Sequence, residues 1–177
     1  NDACVLIATG AGGAPSIDDP SSASARALHR AVSQVCTWLA QAIIRDAEGA
    51  TKFIEIAVRE GRDEQECLQL AYAIAHSPLV MTAMYASDAN WGRILAVVGR
   101  AGLMDLDIGA ISIHLGDVCI VADGERAADY LEERGQTVMS AEEIRVDIAL
   151  GRGEAQATVW TSDLSREYVT INAEYRT

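Results

Sequence analysis

The sequence predicts an α+β fold with helices gathered in the middle and largely antiparallel strands toward both ends. Three observations carry this. A helix-period run covers residues 22–44, short apolar runs of strand type occupy 3–10 and 51–58, and paired alternating segments follow residue 105. Elements of one kind cluster instead of alternating strictly as strand, helix, strand, which favours antiparallel sheets over a doubly wound parallel one.

Taken in order, "ACVLIATG" (3–10) is a short apolar run closed by glycine and reads as a buried strand. "AGGAPSIDDPSS" is punctuated by Gly and Pro and reads as a loop. From Ser22 to Ile44 the apolar residues Leu28, Val32, Val35, Leu39 and Ile43 recur at steps of three and four, the signature of an amphipathic helix. "TKFIEIAV" (51–58) alternates β-branched and aromatic residues and reads as a strand. A second helix is expected in "RDEQECLQLAYAIAHSP", where Asp63 and Glu66 have capping-box spacing and Pro78 marks the end. "SDANWGRILAVVGRAG" predicts a third, with Ser87, Asp88 or Asn90 as caps and Gly99 or Gly102 as the stop. Beyond it, "IGAISIHLGDVCIVADG" predicts two strands around "LGD", and "SAEEIRVDIALGRGEAQATVWTSDLS" two more around "GRG". "EYVTINAEY" alternates and is expected to close the chain as a strand.

Half of the 177 residues are apolar, enough for one sizeable domain. A net charge of -12 argues against nucleic acid and against anionic membranes, both of which attract clustered Lys and Arg. Cys4, Cys36 and Cys119 lie in apolar runs without a CxxC pair, so they are expected to be buried small hydrophobes in a reduced compartment. No run of about 18 apolar residues spans a membrane, and no signal peptide is seen, so a cytoplasmic location is expected. "ATGAGGAPS" has neither the spacing nor the ending of a phosphate loop. His29, His76 and His114 lie far apart without ligand partners, which predicts no metal. His114, in an apolar strand, is expected in the core. The chain opens without methionine, consistent with a truncated chain or with the product of a cut.

Four stretches together carry more information: "NDACVLIATG", "DAEGATKFIEI" (46–56), "SPLVMTAMYASDANWGRILAVVGRAG" (77–102) and "ATVWTSDLSREYVTINAEYRT" (157–177). They resemble the ornithine acetyltransferase, or glutamate N-acetyltransferase, family of arginine biosynthesis, whose members cut themselves into an α and a β chain. The resemblance implies a layered N-terminal-nucleophile-like architecture completed by a separate α chain. It divides this chain into a helix-bearing nucleophile-domain part, 1–105, and a strand-rich part, 106–177. It further implies acetyl transfer from N2-acetylornithine to glutamate through an acetyl-threonine, whose α-amine serves as base. Acetyl-CoA as a second donor stays open, as some members use it. No cofactor and no metal are implied, and the expected assembly is two α and two β chains. In the family the threonine precedes the equivalent of Asn1. No catalytic residue is therefore expected in this chain, which reads as a β chain lacking its first segment. A related aminopeptidase that hands the acyl group to water, and an inactive binding fragment, are the alternatives.

By resemblance the substrate-binding residues are Glu48, Asn172 and Thr177. A carboxylate at Glu48 suits the cationic group of acetylornithine, although an acidic turn before a strand is also an ordinary solvated feature. Asn172 supplies amide donors and an acceptor for an amino-acid head group. Thr177 would add a hydroxyl and a terminal carboxylate. Gly49 lets the backbone turn tightly beside a ligand. Lys52, the sole lysine, is expected to pair with Asp46 or Glu48 and fix the turn. Trp91 and Arg93 are expected to anchor a helix, with Arg93 able to meet a carboxylate.

Overall fold

The structure, a computed structural model, describes residues 3–175. It comprises two units divided between Ala40 and Gln41.

In the first unit the helix read from the 3.6-residue period is present as α1 (Ala23–Arg45), which runs on into the first residues of the second unit. Ser22 Oγ accepts from Ala25 N at its start. No residue of α1 is buried, and Leu28, Val35, Trp38 and Leu39 stay exposed. The strand expected at 3–10 does not form. Val5, Leu6 and Ile7 carry no ladder and are 75–78% exposed. A strand needs a neighbour to accept its hydrogen bonds, and the described part of this unit contains none. Cys4 and Cys36 are likewise exposed rather than buried. With Val5, Leu6, Val32 and Val35 they line an open groove of about 270 Å³.

The second unit is built on one six-stranded sheet in the order β4-β3-β2-β5-β1-β6. The strands are β1 (Phe53–Gly61), β2 (Ser112–Leu115), β3 (Val118–Ala122), β4 (Glu125–Arg126), β5 (Glu143–Ala149) and β6 (Ala155–Ser162). Only β1 and β5 pair in parallel; the other neighbours are antiparallel. The class is therefore α+β with a mixed sheet, mostly antiparallel as expected. The helices of this unit are α2 (Glu64–Ala75), α3 (Pro78–Tyr85), α4 (Trp91–Arg100), α5 (Glu132–Met139) and α6 (Arg166–Glu174).

Strand alternation decides where the core sits. Ile54, Ile56 and Val58 of β1, and Ile144, Val146 and Ile148 of β5, join one apolar cluster with Leu70 and Ile74 of α2, Val97 and Val98 of α4 and Met139 of α5. The intervening residues carry charge. Arg145 Nη1 lies 2.5 Å from Glu55 Oε1, Asp147 is held by Arg59 and Arg145, and Trp160 Nε1 donates to Glu55 Oε2. His114, half-buried, sits on this polar side opposite Cys119 and Asp147, not in the core.

Local chemistry explains the helices. Asp63 caps α2 by accepting from Glu66 N at 2.8 Å, and Glu66 Oε2 returns to Arg62 N, one residue before the cap. Pro78 starts α3 instead of merely ending α2, because its fixed φ and missing N–H suit a first helical position. Asn90 is the cap of α4, accepting from Arg93 N. Helix α5 was not expected: it is polar, buries only Gly135 and Met139, and carries a mid-helix glycine. That glycine is needed, since a Cβ there would strike Tyr130 Oη and Ala89 Cβ. The final element is α6, a helix where alternation predicted a strand. Ser165 caps it, and the β-branched residues Val169, Thr170 and Ile171 are tolerated without sheet pairing.

Among the described residues no single helix is long and apolar enough to cross a membrane. The bent pair α2–α3 reaches the length, but Leu70, Ile74, Val80 and Met84 are spent in the core.

Buried Cys67 makes stability depend on pH. Burial raises its pKa above the ordinary 9.0, and the same cause raises Cys119 and Tyr130. As pH climbs through 9.0 the unfolded thiol ionises first, the native state retains more protons, and stability falls. Denaturant unfolding of the intact protein should show this loss, and Cys67→Ala should flatten it; an unchanged slope would count against burial of the thiol.

Candidate functional site

The turn before β1 and the start of α6 meet in the second unit. Residues 47–50 close a tight turn in which Ala50 N donates to Ala47 O at 3.0 Å. Gly49 holds φ +66, and a Cβ on it would come within 2.5 Å of Tyr168 N, so α6 packs against bare backbone. The segment between β6 and α6 grips this turn. Asp163, 3% exposed, accepts from Thr51 N (2.8 Å), Lys52 N (2.9 Å) and Thr51 Oγ1 (2.7 Å). Ser165 Oγ donates to Gly49 O at 2.5 Å and accepts from Tyr168 N at 3.2 Å.

The consequence is that Glu48 and Asn172, 124 residues apart in sequence, touch. Asn172 Nδ2 donates to Glu48 Oε2 at 3.2 Å and to Tyr168 O at 2.9 Å. Both side chains are exposed, so the pair presents a carboxylate and an amide at the surface of this chain. Chemically, the carboxylate can accept from an ammonium while the amide oxygen accepts and its N–H groups donate. Thr177 lies outside the described residues. Between Tyr85 and Ala86 at the end of α3 and Arg166 and Val169 of α6 opens a cavity of about 570 Å³, which neither Glu48 nor Asn172 lines.

Lys52 does not pair with Asp46 or Glu48. Its Nζ donates to Met84 O (2.6 Å), Ser87 Oγ (2.7 Å) and Met139 O (2.6 Å), so all three N–H groups are spent. Met84 and Met139 lie in the last turns of α3 and α5, where a cation is favoured; Met84 O also accepts from Ser87 N at 3.1 Å. Burial lowers the Lys52 pKa from 10.5, and the charge of Asp163 opposes that shift. Ser87 reaches the ammonium from a left-handed backbone, φ 55. Arg93 meets no carboxylate among the described residues; it donates to Leu79 O at 2.8 Å and ties α4 to α3.

Asp163 and Ser165 were not anticipated as site residues. The available signal was "SDLSRE", a serine cap with an acidic residue in the following turn. Its long-range acceptors could not be read from spacing. Among the described residues no group of three or more His, Cys, Asp or Glu side chains is arranged to hold a metal. The Cys119–His114–Asp147 row offers no activated nucleophile, because Asp147 is engaged by two arginines and burial pushes the thiol up.

A profile of the ArgJ family matches residues 1–177. The chain belongs to the ArgJ family. It is similar to the arginine biosynthesis bifunctional protein ArgJ of Pseudomonas syringae pv. tomato, 56% identical over 177 residues, covering all of this chain and 44% of that protein. The ArgJ protein of Pseudomonas fluorescens is 55% identical with the same coverage. The crystal structure of ArgJ from Bacillus halodurans superposes with a TM-score of 0.83 at 34% identity, covering 89% of this chain and 73% of that one. This ArgJ-family chain thus spans less than half the length of the curated relatives it matches.

Replacing the ammonium tests the Lys52 arrangement. Lys52→Met removes the ammonium donor from Met139 O, Ser87 Oγ and Met84 O, the last of which keeps Ser87 N, and should cost about 1–3 kcal/mol in denaturant unfolding. Lys52→Arg should not restore it, since a planar fork cannot serve three converging acceptors; full recovery by arginine would contradict this geometry.

Proposed function

We propose that this chain is a subunit of a glutamate N-acetyltransferase of arginine biosynthesis that moves the acetyl group of N2-acetylornithine to glutamate. The observation that carries the reading is the meeting of Glu48 and Asn172 on an ArgJ-family fold. Glu48 accepts from the side-chain ammonium of acetylornithine, and Asn172 orients the amino-acid head group.

The attacking hydroxyl comes from a threonine outside this chain, in the part of the protein that the longer relatives possess. That hydroxyl adds to the acetyl carbonyl, the amide C–N bond breaks, and the threonine's own α-amine relays the proton to the departing ornithine nitrogen. Glutamate's amine then attacks the acetyl ester and regenerates the hydroxyl. Glu48 recognises charge and stays outside the bond-breaking steps. Acetyl-CoA as a second donor, giving N-acetylglutamate directly, stays open, and comparing rates with acetyl-CoA and acetylornithine decides it.

The working assembly is two of these chains with two α chains of the same precursor, in the cytoplasm and without a cofactor. The exposed apolar side chains of residues 5–7 and α1 support a further polypeptide, because contiguous apolar surface of this kind marks an interaction site.

In the intact enzyme, Glu48→Ala should lower kcat/KM for acetylornithine by about 10- to 100-fold, the worth of one charge-assisted hydrogen bond, while self-cleavage proceeds. Acetylglutamate should appear mole for mole with ornithine. Unchanged kinetics would remove Glu48 from the site, and free acetate in place of acetylglutamate would make the protein a hydrolase.

A further inference from the structure

We propose that Asp163 and Ser165 are positioning residues of the Glu48–Asn172 site. They fix the separation between the turn bearing Glu48 and the helix bearing Asn172, and so set the affinity for the cationic amino-acid substrate. The inference rests on the reading of Glu48 and Asn172 as substrate contacts.

The geometry is a closed ring. Glu48 Oε2 accepts from Asn172 Nδ2, and the same amide donates to Tyr168 O. Tyr168 N donates to Ser165 Oγ, and that hydroxyl donates to Gly49 O, the carbonyl of the residue bonded to Glu48. One hydroxyl therefore starts the helix that carries Asn172 and pins the turn that carries Glu48. Asp163 holds the other end of the turn through three hydrogen bonds to Thr51 and Lys52. The ring has no slack at Gly49, where even a methyl group would meet Tyr168 N at 2.5 Å.

Both residues are 3% exposed. Each has its polar atoms engaged with this chain, so neither offers a group to the substrate, and their influence passes through Glu48. Glu48 needs that support. It is an exposed, rotamer-rich side chain on a turn outside regular structure, and a carboxylate left to wander gives up binding energy when it is ordered.

The test is a double-mutant cycle in the intact, self-cleaved enzyme, with acetylornithine as donor and glutamate as acceptor. Ser165→Ala should reduce kcat/KM for acetylornithine about tenfold, mostly through KM, and Ser165→Thr, which keeps the hydroxyl, should restore most of it. In a Glu48→Ala background the same Ser165→Ala change should cost less than about twofold, because both act through one carboxylate. Additive losses, or an unimpaired Ser165→Ala enzyme beside an impaired Glu48→Ala enzyme, would overturn the positioning role. An unimpaired Glu48→Ala enzyme would instead remove the substrate-site reading beneath it. Asp163→Asn keeps the side-chain shape and is taken through the same cycle, so a Ser165→Ala protein that fails to fold does not spare the proposal: additivity with Glu48→Ala there overturns it equally.

Discussion

The buried carboxylate of Asp163 closes the mouth of β1. The N–H groups of Thr51 and Lys52 lie just before the strand, and both donate to one oxygen of that carboxylate. The buried carboxylate satisfies both donors and so fixes the course of the segment entering the sheet. β1 is the strand between parallel β5 and antiparallel β6, so its entry angle governs both neighbours. The next side chain continues the work. Lys52 carries its ammonium to the last turns of α3 and α5, and thereby ties the strand to two helices that have few contacts of their own with it. One strand and two helices are thus gathered at Lys52.

The sheet then separates two kinds of surface. One side is apolar and covered by helices. The other carries Glu55, Arg145, Asp147, Arg59 and Trp160, linked by ion pairs and an indole hydrogen bond. Partly exposed pairs of this type contribute little each to stability. Their effect is to keep that face polar and its register defined, since a one-residue slip would turn the charges into the core. At one corner of the second unit Arg45 bonds Glu143 and lies 3.8 Å over the Phe53 ring.

The first unit has the opposite character. Its apolar residues face outward, along both the helix and the extended run before it. The chain spans 44% of the length of the Pseudomonas syringae relative. The contrast with the well-packed second unit separates what this polypeptide stabilises by itself from what it holds ready.

By itself the sequence determined the elements whose signals are local. The period of Leu28, Val32, Val35 and Leu39 specified α1, the Asp63–Glu66 pair specified the start of α2, the caps offered at Ser87, Asp88 and Asn90 bounded the start of α4, which the structure sets at Asn90, and the apolar strand runs marked β1, β2, β3, β5 and β6. Family resemblance singled out Glu48 and Asn172. Tertiary structure decided what depends on a distant partner. Residues 3–10 have strand composition but no ladder, and "EYVTINAEY" has strand alternation but follows a serine cap that starts it as a helix. The same holds for Lys52, whose acceptors come from two helices 32 and 87 residues away, and for the contact between Glu48 and Asn172. Periodicity and capping are encoded within a few residues of one another, whereas the acceptor of a buried donor is whichever group the folded chain brings to it.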